Sequence, residues 1–322
     1  MHDTRGNAMG EAERFDVVIL GGGPAGLSAA LTLGRVLRRT LVLDSGEPRN
    51  ATSPALHNFL SRDGTPPAEL RAVARSQLDD YPSVRIRDRA ACGVRRLEGG
   101  AFEVRLDGGD VVRARRLLLA TGLADELPPI EGLGALWGRA ALHCPYCHGY
   151  EVRGAPLAVL GAGPARVRLA LHLTRLSGDV ALCTRGETPL DPESRRALEA
   201  GGVEVREAPI VRVEGGGRDV AVRLVFADGG SLERRAVFVA SKTRQRSRLP
   251  AELGCALLED GCVEVDDLGR TSVPGVYAAG DMARRATLPG PVSSVIAAAA
   301  SGAVAGAAID QELLGEDLAM GG

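Results

Sequence analysis

The sequence predicts an α/β protein built from two copies of one strand–turn–helix–strand unit, the second set inside the first. Three observations carry that reading. Residues 15–23 form an apolar run (Val17, Val18, Ile19, Leu20) that enters a glycine turn, followed by a helical pattern over 24–37 and a strand over Thr40–Leu43. A continuous apolar run is what a parallel strand buried on both faces requires. Residues 157–163 then enter a second Gly-x-Gly turn, with a helix expected over 165–176 and a strand over Val180–Cys183. Each unit is also followed by a glycine-punctuated stretch, "VRRLEGGAFEVRLDGGDVVRARRLLLATG" from Val94 and "VRVEGGGRDVAVRLVFADGGSLERRAVFVAS" from Val211. Both read as small antiparallel meanders, and an internal duplication of this kind implies two related domains.

The elements follow in order. The first meander is expected as short strands at 94–97, 102–106, 110–112 and 117–120, and the second as strands at 211–213, 220–226 and 236–240. Residues 263–310 hold a short strand pair (263–265 with 276–279), then Gly280-Asp281, then an Ala-rich helix. That segment has no nucleotide turn of its own and is expected to return and complete the first domain. The fold class is thus two Rossmann-like three-layer nucleotide-binding domains, the second inserted in the first.

Composition narrows the function. The chain has 322 residues, a net charge of −2 and ten aromatics, so neither a positive field nor a stacking surface suits a nucleic-acid role. The polar N-terminus lacks an apolar leader segment. Residues 286–309 carry no charge but are mostly Ala, Gly, Ser and Pro, which suits a buried or half-buried helix better than a membrane span. A soluble cytoplasmic protein is expected, without membrane or nucleic-acid partners. Six cysteines are too few for a disulfide scaffold. Cys92, Cys183, Cys255 and Cys262 read as buried small hydrophobes. His57 reads equally as a cofactor-facing or a plain loop histidine, and Arg244, Arg246 and Arg248 as a solvated loop.

Two motifs carry chemistry. In Gly21-x-Gly23-x-x-Gly26, the first glycine makes the tight turn, the second admits a pyrophosphate and the third lets helix and strand pack closely. The anion would sit on the helix N-terminus. Asp44, 23 residues beyond Gly21, is placed for ribose hydroxyls. The second copy reads Gly161-x-Gly163-x-x-Arg166, with Cys183-Thr184-Arg185-Gly186-Glu187 where an acid or an arginine cluster would bind a nicotinamide cofactor. One arginine followed by a glutamate is a poor phosphate clamp. A retained domain with weak or no NADPH binding is the favoured reading, with binding kept open.

His143-Cys144-Pro145-Tyr146-Cys147-His148 is the expected chemical centre. Two thiols at this spacing can close a reactive disulfide and lower a thiol pKa. His148 is placed as an acid/base near neutral pH. Haem attachment would need export, a zinc site would need a second ligand pair, and two inert loop cysteines are the remaining alternative.

With these motifs in view, the chain resembles the low-molecular-weight thioredoxin reductase family of FAD proteins from about residue 15 to 314. "VVILGGGPAGLSAA", "LLLATG" and "TSVPGVYAAGD" match the family's FAD fingerprint, interdomain crossing and second FAD motif. The resemblance implies FAD held by Gly21, Gly23, Pro24, Ala25, Gly26, Asp44, Asn50, Thr121, Gly122, Gly280 and Asp281, with Asp281 on the ribityl chain. It also implies that Cys147 faces the flavin and Cys144 exchanges with substrate. Where thioredoxin reductases carry Asp after the second cysteine, this chain has His148, and their arginine clamp is missing. Those departures are similar to the family's small-molecule dithiol oxidases, in which oxygen is the final acceptor. The expected domains are 1–123 with 246–322 for FAD and 124–245 for the NAD(P)-binding-like part. The expected activity is a dithiol oxidase acting on a small-molecule dithiol with oxygen, and a homodimer is expected. An NADPH-dependent reductase of a thioredoxin-like partner is the alternative, and a flavin-bound module without turnover is a third.

Overall fold

The computed structural model describes residues 12–186, 189–215 and 222–320. These residues divide into two compact units: those within 12–48, 71–124 and 245–320 form the first, and those within 49–70 and 125–244 form the second. Residues 49–70, expected with the first domain, therefore pack with the second.

In the first unit the parallel strands run in the order Val84–Arg87, Thr40–Leu43, Glu13–Leu20, Val111–Leu119, Val276–Ala278. Side chains alternate along a strand, and each face of the sheet meets a different layer. Val18 and Leu20 of the first strand pack with Phe102 and Val104 of the meander. Val17 and Ile19 pack with Leu27, Ala30 and Leu33 of the helix Pro24–Arg35. The expected strands 110–112 and 117–120 are one strand, Val111–Leu119. Its first half pairs antiparallel with Phe102–Leu106 and its second half parallel with Val276–Ala278. The expected pair 263–265 and 276–279 does not form. Val263–Glu264 pairs with Ala283–Arg284, because Val276–Ala278 is committed to the parallel sheet.

The Ala-rich segment becomes helical only from Val295 and runs to Met320. Its small residues allow close approach to the first helix, where a Cβ on Gly302 would collide with the Ala25 carbonyl oxygen. No helix among the described residues is long and apolar enough to cross a membrane. The helix's second half is tied down by charge. Arg116, almost fully buried, bonds Glu312 at 2.7 Å and also Glu316. Arg38 reaches Asp310 and Asp317, both at 2.7 Å. Tyr277 Oη donates to Glu312.

The second unit repeats the plan. Its parallel order is Glu204–Arg206, Val180–Cys183, Leu157–Leu160, Ala236–Val239, Ala141–Leu142. The meander is Ile210–Gly215, Val222–Phe226 and Ser231–Arg234, and the last of these strands has no counterpart among the expected ones. Expected features at Glu187, Gly216, Gly217 and Val220 lie outside the described residues. The fifth strand is where the copies differ. In the first unit it comes from the end of the chain. In the second it is Ala141–Leu142, directly ahead of His143 and Cys144.

Arg116→Ala should destabilise the protein by about 1–2 kcal/mol, read from urea unfolding, because it removes an almost fully buried cation that two partly exposed carboxylates bond. Burial raises the Glu316 pKa, but hydrogen bonds from Arg116 and Arg115 outweigh it and leave the group depressed. Hydrogen bonds from Arg38 and Arg115 depress Asp317 as well. This stabilisation is full above the ordinary carboxylate range and is lost as pH falls through the depressed values. The variant's deficit relative to wild type should therefore shrink in acid.

Candidate active site

Most of the expected FAD residues converge at one end of the first sheet. Gly21, Thr121-Gly122 and Gly280-Asp281 follow the carboxyl ends of three neighbouring parallel strands, stitched by Ala120 N–H to Leu20 O (2.8 Å) and Ala279 N–H to Leu119 O (2.9 Å). Chain order reverses here, at the switch point where open α/β sheets bind ligands. Gly21 has φ +121°, and a Cβ there would strike the Ala120 carbonyl oxygen. A Cβ on Gly26 would strike the Gly21 carbonyl oxygen, so this glycine lets the helix close onto the turn. The helix opens with Pro24 and Ala25. Its Gly23 cap offers no side chain to the first-turn N–H groups, and the space beside Gly23 is open. An uncapped helix N-terminus with room in front of it fits a pyrophosphate.

Asp44 lies at the adjoining strand end. Its carboxylate accepts from Gly46 N–H (3.0 Å) and from Arg75 (3.2 Å), each through a different oxygen. Each oxygen keeps a further lone pair for a ribose hydroxyl. Gly280 N–H donates to Ser301 Oγ at 3.0 Å, which holds the second motif against the long helix. These residues fit FAD. Asn50 is the exception in placement, since it lies in the segment that packs with the second unit.

Cys144 and Cys147 are joined as a disulfide with Cα atoms 5.3 Å apart. The local sequence dictates the turn. Cys144 is extended (φ −121°) and caps the one-turn helix Pro145–His148, with Pro145 supplying a preset first helical φ. The Cys144 carbonyl accepts N–H from both Cys147 and His148 at 3.2 Å. Gly149 follows because a Cβ would meet the Pro145 carbonyl and the Leu176 side chain. Both cysteines are half-buried, whereas Tyr146 and Tyr150 are 71% and 65% exposed.

Around the turn stand residues the motifs did not announce. His148 Nε2 lies 2.8 Å from Ser53 Oγ. His57 packs edge-on to His148, with ring centroids 6.5 Å apart, and is itself flanked by Asp63 (3.4 Å) and Glu151 (3.6 Å). Burial first, then the His57 charge, lowers the His148 pKa, against a smaller pull from Glu151. The ring is therefore held neutral, as a proton acceptor must be. His143 stacks on Trp137 at 5.6 Å, and the surrounding protein and then the Arg49 cation disfavour its protonation. Arg49 forms a two-point bond with Asp125 (2.7 and 2.8 Å), which also accepts from Ser241 Oγ (2.6 Å). No sequence signal links residues 49–57 to the cysteines. Only the packing of the 49–70 segment does.

The other cysteines divide. Cys183 and Cys262 are buried, with thiols pushed up to about 12 and about 11 by burial, and Cys255 is raised for the same reason. Cys92 is exposed, contrary to expectation. It lies on Ala91–Arg96, which pairs on one side only, and there it contacts the Arg105 carbonyl and guanidinium at 3.4 Å. Of the arginine run, Arg246 is structural. Its backbone N–H bonds Gly122 O (3.2 Å) and its side chain reaches Leu123 O (3.3 Å).

The second glycine turn keeps its backbone, with Gly161 at φ +109° and Gly163 at +91°. Its third position is Arg166, whose side chain lies beside Gly161, while the space beside Gly163 is open as it is beside Gly23. A Cβ built on Gly161 would find Arg166 Nε at 3.6 Å as its nearest neighbour. The close helix–turn contact made by Gly26 is thus replaced by a half-buried guanidinium, which burial makes a weaker base.

Comparison with known proteins places this geometry. Residues 15–303 match the model of the pyridine nucleotide-disulphide oxidoreductase family. The chain is 36% identical over 284 residues to "thioredoxin reductase tcpT" of Claviceps purpurea, covering 85% of this chain and 88% of that one. Among solved structures it is similar to an oxidoreductase from Agrobacterium tumefaciens (38% identity, TM-score 0.86, 94% and 99% of the two chains). It is also similar to HlmI (40% identity, TM-score 0.87, 95% of each chain). The chain belongs to the pyridine nucleotide-disulphide oxidoreductase family and is an FAD-dependent oxidoreductase of the thioredoxin reductase-like kind, with a Cys-x-x-Cys disulfide.

Gly26→Val should yield a folded but colourless protein. Flavin absorbance of the purified variant measures this, and a yellow variant with full FAD content would contradict the cradle.

Proposed function

We propose that the protein is a dithiol oxidase, forming a disulfide in a small-molecule dithiol with oxygen as final acceptor. The observation that carries the direction of electron flow is Arg166 at the third position of the second glycine turn, its side chain beside Gly161. A dinucleotide pyrophosphate needs that turn's backbone at close range, and a small third residue lets the helix that points at it pack closely on the strand. The disulfide between Cys144 and Cys147 beside a neutral His148 supports the thiol chemistry. So does the similarity to tcpT, which carries the name of a thioredoxin reductase. A substrate thiolate attacks Cys144, and a mixed disulfide forms as Cys147 leaves as thiolate. The second substrate thiol displaces Cys144 and the oxidised product departs. When bound, FAD supplies the two-electron acceptor that returns the cysteine pair to the disulfide. Overall, a dithiol and O2 become a disulfide and H2O2.

The test is anaerobic mixing of the purified protein with NADPH and, separately, with dithiothreitol, followed at the flavin absorbance. Bleaching by the dithiol alone, with peroxide appearing on admission of air, is the expected result. Rapid bleaching by NADPH would instead establish a reductase. Cys144→Ser and Cys147→Ser should each abolish dithiol-dependent bleaching while keeping bound flavin. Unaltered function in Cys144→Ser would point to a binding module.

A further inference from the structure

Ser53 decides which nitrogen of His148 is free. Its Oγ donates to the Ala55 carbonyl oxygen at 2.7 Å and lies 2.8 Å from His148 Nε2. A hydroxyl has one proton, and a carbonyl oxygen has none to offer. The Ser53 proton therefore belongs to the Ala55 contact, and the proton in the other contact must come from Nε2. In the neutral ring this leaves Nδ1 as a bare acceptor. Nδ1 is buried and has no hydrogen-bond partner among the described residues. Buried acceptors are nearly always satisfied, so an exception next to a half-buried disulfide points to a functional group.

The ionisable groups around the ring are consistent with this role. His57 faces it edge-on, and His57 is held in turn by Asp63 and Glu151. His143 stands ahead of Cys144, close enough for the two histidines to oppose each other's protonation.

We propose that Ser53 is a positioning residue that fixes His148 as the Nε2–H tautomer, so that Nδ1 receives the proton of the attacking thiol. The proposal rests on the thiol–disulfide reading above but not on the direction of net electron flow. In the step, the S–H bond of the thiol breaks and its proton moves to Nδ1. The thiol sulfur bonds to Cys144 and is oxidised. The Cys144–Cys147 bond breaks, and its electron pair stays on Cys147, which is reduced to thiolate. Ser53 keeps accepting from Nε2–H throughout, so the imidazolium forms without rearranging its support.

The tautomer can be read without turnover, by long-range 1H–15N NMR of the FAD-loaded, disulfide-form protein labelled in histidine. The His148 signals are assigned by their loss in His148→Gln. The expected pattern is a protonated Nε2 and an unprotonated Nδ1, lost or mixed in Ser53→Ala. Single-turnover opening of the disulfide by dithiothreitol should slow by about 10- to 100-fold in Ser53→Ala, with a shifted pH profile. Ser53→Thr, which keeps the hydroxyl, should restore rate and profile. A protonated Nδ1 in the wild type would overturn the proposal, as would a Ser53→Ala protein with unchanged tautomer and rate. If Ser53→Ala does not fold, the wild-type spectrum decides alone. A wild-type disulfide inert to dithiothreitol would remove the thiol–disulfide reading and the proton-transfer role with it, while the spectrum still reports the tautomer.

Discussion

The chemistry of this protein depends on a helical turn of four residues, Pro145–His148, that holds two cysteines and a histidine together. Pro145 starts it, the Cys144 carbonyl closes it and Gly149 ends it under the Leu176 side chain. Within that turn two sulfurs are close enough to bond and partly open to a reactant. The turn stands beyond an edge strand of only two residues, so its position is set by the parallel sheet of its own unit.

The same fold serves a different end in the first unit. There the switch point, the bare helix N-terminus and Asp44 make a cradle of backbone donors and one carboxylate. Its rigidity has two sources. Small residues let two helices approach to backbone contact, and a cluster of arginines and carboxylates pins the last turns of the C-terminal helix. The second unit keeps the sheet and the turn but carries Arg166, beside Gly161, at the third position of the turn.

Much of this is legible from residues alone, for a physical reason. Buried parallel strands need uninterrupted apolar runs, and a turn over a pyrophosphate needs glycine, so Thr40–Leu43, Val180–Cys183 and both glycine turns stand out in the sequence. The strand Val111–Leu119 reads as two because its partners change halfway, and local composition carries no record of a partner. The pairing of Val263–Glu264 with Ala283–Arg284 is hidden for the same reason. Cys92 shows the limit of residue-type averages: its neighbours suit a strand, and exposure depends on lying at the sheet edge.

What the sequence determined by itself was the pair of α/β units, the FAD fingerprint and the Cys-x-x-Cys-His centre, because each rests on contacts between residues close in the chain. What only the tertiary structure decided was the company those residues keep. Ser53 and His57 come to His148 across some ninety residues, and Arg49 comes to Asp125, because residues 49–70 pack with the second unit. The proton on a histidine ring is set by such neighbours, and the chemistry of the site is set by that proton.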